Sequence, residues 1–185
     1  MLSHSNICLP HAAAGQRGAS LLEVLVAVVI LSIGLLSMAW LHSVGLQYDK
    51  MSQFRGVATQ LASDLADRIR ANVGAAADYV FLETYAPGTV ATAPVDCVTT
   101  VCAGPEMALF DVAEFRNAAR LNLPDGSLFV TQDAANPRAL TIWVMWRDPE
   151  AVDTATATAS LAAHCPAAIG APAPMPQCMP LRVLL

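Results

Sequence analysis

The stretch Arg17-Gly18-Ala19-Ser20-Leu21-Leu22-Glu23, with the almost unbroken apolar run 24–41 behind it, decides how the rest of the chain is read. A single carboxylate sits at the mouth of a segment long enough to cross a hydrocarbon core, which needs ~20 residues. Left without a partner in lipid, Glu23 costs several kcal/mol, roughly the +2.5 to +3.5 found for charged residues at a helix centre. An ionisable group in such a place is functional by default and calls for a named partner. The obvious partner is an amine, and cutting the chain after Gly18 would make one.

On the N-terminal side, residues 1–18 are polar, small and weakly basic, with Arg17 the one formal charge. That arginine fits a cytoplasmic N-terminus, which places the remainder of the chain beyond the membrane. An ordinary secretory signal peptide is the rival. Its apolar core runs ~7–15 residues and ends in a small-x-small cleavage site. Ser37-Met38-Ala39 offers such a site, with cleavage before Trp40. Against it stand the long leader, the acidic Glu23 and a helical pattern that continues through Trp40. A plain uncleaved anchor is the other alternative.

Composition sets the remaining bounds. The 185 residues support one modest domain plus an extra segment. The formal charge of −5, with Lys50 the single lysine, argues against a nucleic-acid surface. The mean hydropathy of +0.48 reflects the run 24–41 and alanine-rich loops. Cleavage after Gly18 would also remove the odd cysteine, Cys8, and leave Cys97, Cys102, Cys165 and Cys178. An even set in a small exported domain favours disulfides in an oxidising compartment. Proximity along the chain prefers Cys97–Cys102 and Cys165–Cys178, although four cysteines allow other connectivities. The same cysteines with His164 could be drawn as a zinc site, but their spacing fits no common finger. No nucleophile elbow, phosphate-cradling loop or His-Glu-x-x-His pair occurs. No catalytic residue, metal or cofactor is expected, and the chain does not read as an enzyme.

Beyond residue 41 the pattern turns amphipathic without a strong breaker. Phe54, Val57, Leu61, Leu65 and Ile69 recur at helical spacing, and Asp64 with Arg68 forms an i,i+4 pair in the favourable order. Asn72-Val73-Gly74 supplies a stop. One helix from Ser20 to Asn72 would be roughly 80 Å long at ~1.5 Å per residue. Gly34, Gly45 and Gly56 would weaken it by ~1 kcal/mol each. Residues 74–104 read as loop. A second helix starts at Pro105-Glu106, carries Phe110, Phe115 and Leu121 broadly on one side, and ends before the turn Pro124-Asp125-Gly126. Strands follow at 127–132 and 140–147. In the second, Thr141, Trp143 and Met145 alternate with Ile142, Val144 and Trp146. Asn136-Pro137 turns them into an antiparallel hairpin. The Ala/Thr-rich insert 151–160 reads as an exposed loop, and a proline-rich loop 166–180 precedes a last short strand, 181–185. The acidic residues are scattered and read mostly as solvated.

The run from Arg17 to Ala27 resembles the prepilin signal of type IV pilins and type II secretion pseudopilins. That resemblance implies cleavage between Gly18 and Ala19 by a prepilin peptidase, and methylation of the new amine of Ala19 by the same enzyme. It further implies that Glu23 pairs with the N-terminal amine of a neighbouring subunit, turning two charges costly in lipid into one hydrogen-bonded unit. Two departures stand out: Ala19 where the family more often has Phe or Met, and Trp40 where major pilins often carry a kink-forming proline. Both lean away from a bulk filament subunit. The order of elements, with Phe110-Asp111-Val112-Ala113-Glu114-Phe115 before Leu123-Pro124-Asp125-Gly126 and the strand at 141–146, is similar to that of PilV-type minor pilins, the type IV pilus modification proteins.

The fold expected is α+β and pilin-like: a leader 1–18, a long helix 19–73 that spans the membrane in 19–41, and a periplasmic head 74–185 with a small antiparallel sheet. The resemblance implies inner-membrane insertion and a part in initiating pilus assembly, with effects on twitching motility or adhesion. The implied partners are prepilin peptidase, other minor pilins, the major pilin and the assembly platform, and incorporation in the pilus, even at its tip, follows. A minor pseudopilin of type II secretion is the near alternative. A periplasmic binding protein or enzyme released by ordinary signal peptidase is the distant one. Sequencing of the mature N-terminus separates these: the expected first residue is N-methylated Ala19, whereas a start at Trp40 would establish ordinary signal-peptide cleavage.

Overall fold

A computed structural model describes residues 20–147, 164–170, 172 and 174–185. Gly18, Ala19 and the insert 151–160 lie outside the described residues. The described elements are a long helix α1 (Leu21–Ala71), a 3₁₀ helix (Val73–Tyr79), α2 (Gly104–Asn122) and strands β1 (Ser127–Gln132), β2 (Ala139–Trp146) and β3 (Gln177–Leu184). A second, short 3₁₀ helix covers Ala167–Ile169. This is the α+β architecture expected: a long N-terminal apolar helix and a small antiparallel sheet.

The chain forms two compact units, one ending at Leu46 and one spanning Gln47–Leu185. In the first, the side chains of α1 from Leu21 to Leu41 are exposed, among them Leu22 at 73% and Ile30 at 64%. Eighteen-residue stretches of α1 are apolar enough to cross a membrane.

In the second unit the strands run in the order β1-β2-β3, antiparallel throughout. Alternation puts Leu128, Val130, Ile142, Val144, Trp146 and Val183 on one face, sharing a core with the helices. From α1 that core takes Leu65 and Ile69, fully buried and worth ~1.5–3 kcal/mol each, together with Ala58, Ala62 and Ala66. Phe54, Val57 and Leu61 pack at its margin. The opposite sheet face is covered too: Phe129 and Met145 are buried with Tyr85, Ile169 and Met175.

Four expectations are corrected. The segment after Gly74 is not loop at once, because the 3₁₀ helix continues to Tyr79. The buried face of α2 is Ala108, Asp111, Val112, Ala113, Phe115 and Ala119, while Leu121 is 72% exposed. β3 begins at Gln177 rather than at 181 and contains Pro180, opposite Trp143. Proline is tolerated there because β3 is an edge strand of the sheet, with one side free of ladder partners. Arg68, finally, reaches across to α2 instead of pairing with Asp64.

That last contact locks the helices. Arg68 Nη1 donates to Asp111 Oδ1 at 2.5 Å and to Glu114 Oε2 at 2.8 Å, and the Tyr79 hydroxyl donates to Asp111 Oδ2 at 2.7 Å. Asp111, at 2% exposure, is the one buried charged side chain among the described residues. Arg68 also lies over the Phe115 ring, 4.9 Å from its centroid. Nearby, Asn72 Nδ2 donates to the Gly104 carbonyl at 2.8 Å. Burial opposes the charge on Arg68, but the hydrogen bonds to Asp111 and Glu114 outweigh it and raise its pKa. Burial pushes the Tyr79 phenol up to about 12; the Asn72 amide works against the shift and Asp111 adds to it. Burial likewise takes Tyr85 to about 12, with Arg147 opposing.

The turn into β1 depends on a close approach. Asp125 adopts a left-handed φ of 50°, its carbonyl accepts from the Tyr85 hydroxyl at 2.6 Å, and Arg147 N–H donates to the Pro124 carbonyl at 2.9 Å. At Gly126 a Cβ would stand 2.0 Å from the carbonyl oxygen of Ala119. Since that oxygen belongs to the α2 backbone, no side chain can give way. Gly126→Ala is therefore expected to lower stability by about 3 kcal/mol, the upper end of overpacking, read from the denaturant midpoint of the full chain in detergent micelles.

The two raised phenols set a pH dependence. Each binds its proton more tightly folded than unfolded, so its contribution is complete below the unfolded value of 10.0 and is lost as pH rises through about 12. Denaturant midpoints should fall across that window, and Tyr79→Phe should remove roughly half of the fall. An unchanged alkaline slope in the variant would show that Tyr79 is not a source of it.

Candidate assembly site at the start of the first helix

The first turn of α1 is built by its own sequence. Ser20 precedes the helix, and its side-chain oxygen accepts the Glu23 N–H at 3.3 Å, while its carbonyl accepts the same N–H at 2.9 Å. Ser20-Leu21-Leu22-Glu23 has the spacing of a capping box, so the sequence itself carries the signal for this turn. Ser20 is thus a positioning residue for the turn that carries Glu23. A carboxylate in the first turn is also favoured by the positive end of the helix dipole, worth about 0.3–1 kcal/mol at an exposed position.

Glu23 is exposed, and among the described residues it makes no ion pair. The side chains around it are apolar and open: Leu21, Leu22, Val24, Leu25 and Val26 are each at least half exposed. Glu23 is thus a charge ringed by unburied aliphatic groups. Chemically it can accept hydrogen bonds from a cation, and it can do so in a low-dielectric setting where such a bond is strong. Gly18 and Ala19, the other residues expected at this site, lie outside the described residues.

The remaining candidates are elsewhere and are not brought to Glu23. Cys97 is bonded to Cys102 and Cys165 to Cys178. No group of three or more His, Cys, Asp or Glu side chains is placed to hold a metal among the described residues. His42 is exposed on α1 and His164 is exposed in the segment before Cys165. A groove of about 480 Å³ lies beside α2, lined by Ala91, Ala93, Phe110, Ala113 and Leu121 with Glu114 and Asn117 at hand. Its wall is clamped by Asn117, which donates to the Ala91 carbonyl at 2.7 Å and accepts the Ala91 N–H at 3.0 Å. Phe110 and Leu121, expected on one side of α2 with Phe115, line this outer groove.

Two family models match the chain. The prokaryotic N-terminal methylation motif matches residues 14–39, and type IV pilin Tt1218 matches residues 46–113. No curated protein and no solved structure matches it. The first match takes in the end of the leader, Glu23 and most of the apolar run, and implies processing by a prepilin peptidase and partners of a pilus type. The second takes in the rest of α1 and the first half of α2, including the Arg68, Tyr79 and Asp111 cluster. The methylation motif and the pilin match, in that order along a chain with a membrane-length helix and a small three-stranded sheet, support a type IV pilin.

Proposed function

We propose that this type IV pilin is a minor pilin that takes part in initiating pilus assembly. The observation that carries it is the exposed Glu23, without an ion pair among the described residues, at the head of an apolar helix in a chain with the methylation motif. Cleavage between Gly18 and Ala19 and methylation of Ala19 supply the processed end. In the inner membrane, with the N-terminus cytoplasmic, Glu23 then takes the N-terminal amine of a neighbouring pilin as its partner. Pairing converts an isolated carboxylate, costing several kcal/mol in lipid, into a charge-assisted hydrogen bond. The helix 19–73 anchors and packs, spanning the bilayer in 19–41, and the head 74–185 selects partners in the periplasm. The minor role is supported by Trp40 at the position where a bulk subunit would often carry proline. No catalytic step enters this function.

Glu23→Ala tests the mechanism. Processing after Gly18 should continue, because the peptidase acts at the glycine, while the number of pili per cell and twitching should fall about tenfold or more, as for the loss of a charge-assisted bond of ~1.5–3 kcal/mol. Normal piliation with normal processing would defeat the charge-pair mechanism. Normal pilus numbers in a strain lacking the whole protein would defeat the initiating role.

A further inference from the structure

The two faces of the sheet are closed by different means. The core under the helices draws on α1, the first 3₁₀ helix, α2 and the strands, and takes nothing from residues 164–176 among those described. On the other face, Tyr85, Phe129 and Met145 are covered by Ile169 and Met175, with Trp143, Cys165 and Cys178 at the margin. The described residues 164–170 and 174–176, which supply Ile169 and Met175, form a strap lying on the sheet. Its backbone bonds from Ile169 to Pro166 and from Gly170 to Ala167 stay within the strap. Gly170 takes a φ of 77°, a conformation that favours glycine, at the end of the short 3₁₀ helix Ala167–Ile169. Arg147 Nε donates to the Pro174 carbonyl at 3.2 Å. Covalently, Cys165 near the start of the strap is bonded to Cys178, which sits in β3 opposite Met145. The bond therefore ties the strap to the sheet that it covers.

The other disulfide has no such position. Cys97–Cys102 closes a loop whose Val98 and Val101 are 80% and 98% exposed, and neither cysteine belongs to an apolar cluster.

We propose that the Cys165–Cys178 bond is a redox latch on this strap. Intact, it holds Ile169 and Met175 against the sheet. Broken, it lets the strap leave and bares Tyr85, Phe129 and Met145, while the core under the helices stays closed. A dithiol opens it by exchange. One thiolate attacks a sulfur of the bond and displaces the other cysteine as a thiolate, which takes a proton. The second thiol of the reductant then resolves the mixed disulfide. Cys165 and Cys178 gain two electrons and two protons, and the dithiol closes into its own disulfide. A chain whose Cys165 and Cys178 are not joined thus differs from the finished one by an open aromatic and thioether face, without loss of the helical core.

The test uses the full chain in detergent micelles, with Cys97→Ser and Cys102→Ser so that the latch is the bond under study. The protein is reduced with dithiothreitol, alkylated to confirm the two thiols, desalted, and exposed to hydrogen peroxide. Oxidation of Met145 and Met175 is followed by mass spectrometry beside amide exchange in α2. Both methionines should oxidise about tenfold faster or more than in the oxidised protein, with α2 exchange unchanged, as for a local opening. Cys165→Ser in the otherwise native chain, where nothing is alkylated, should show the same Met145 reactivity. Met145 protected in both preparations would overturn the latch, because the strap would then hold by packing alone. Loss of α2 protection in both would overturn it as well, because the head would then open as one unit.

Discussion

The head depends on how one buried carboxylate is satisfied. Asp111 is almost wholly shielded from water, and an unpaired charge in such a place would cost several kcal/mol. Its oxygens are met by Arg68 of α1 and by Tyr79 of the 3₁₀ helix that follows, while Asp111 itself belongs to α2. Three elements thus converge on one group with directional bonds. Apolar burial has no direction, so Leu65, Ile69, Val112 and Phe115 alone would allow α2 to slide along α1. With Asp111 fixed, a slip by one residue swings it away from both donors. The same register brings the Gly104 carbonyl to Asn72, so the start of α2 is anchored from the end of α1.

From that fixed pair of helices the sheet follows. Along β1 and β2 the side chains alternate between the two faces, and those facing the helices are Leu, Val, Ile and Trp. The other face cannot be left open, because Phe129 and Met145 on it are large and apolar. Tyr85, Ile169 and Met175 cover them, and the residues that hold this cover also brace the turn into β1. Arg147 Nη1 reaches Asp125 at 3.3 Å, lies 5.5 Å from the centre of the Tyr85 ring, and donates through Nε to Pro174. The guanidinium therefore joins the turn, the strap and the ring in one planar group, a task for which its fixed fork of donors suits it.

Much of this was legible in the sequence where the signal is local and repeated. The apolar run, the period of the stripe from Phe54 to Ile69, the Pro124-Asp125-Gly126 turn and the alternation around Trp143 all express backbone geometry within a few residues. What was not legible depends on partners far along the chain. Asp111 looked solvated because Arg68 and Tyr79 lie 43 and 32 residues away. The buried face of α2 was less legible, because Phe110 and Leu121 outweigh alanine on any hydrophobic count. Yet Ala108 and Ala119 are the residues small enough to lie against the core. The start of β3 was hidden by its proline, a strand breaker in general but harmless on an edge strand. At the assembly site the glutamate stands out as a lone charge beside an apolar run, whereas the role of the serine three residues before it shows only in the hydrogen bond that it accepts from the Glu23 N–H.

The chain handles its two exceptional carboxylates in opposite ways, and the contrast bears on what each is for. Asp111 has its cation, its phenol and its burial supplied from within one chain, which is the arrangement of a group that holds a fold together. Glu23 has a capped helix turn to set its direction and a surround of aliphatic side chains, but no cation among the described residues. An aqueous surface would make such a group unremarkable. A membrane-length helix makes it incomplete, since lipid offers no water to satisfy it and the helix dipole offers only a fraction of a charge. In the proposed function that deficit is the driving force for association: a second processed chain brings the missing amine. The head, already satisfied internally, is left free to determine which chain that is.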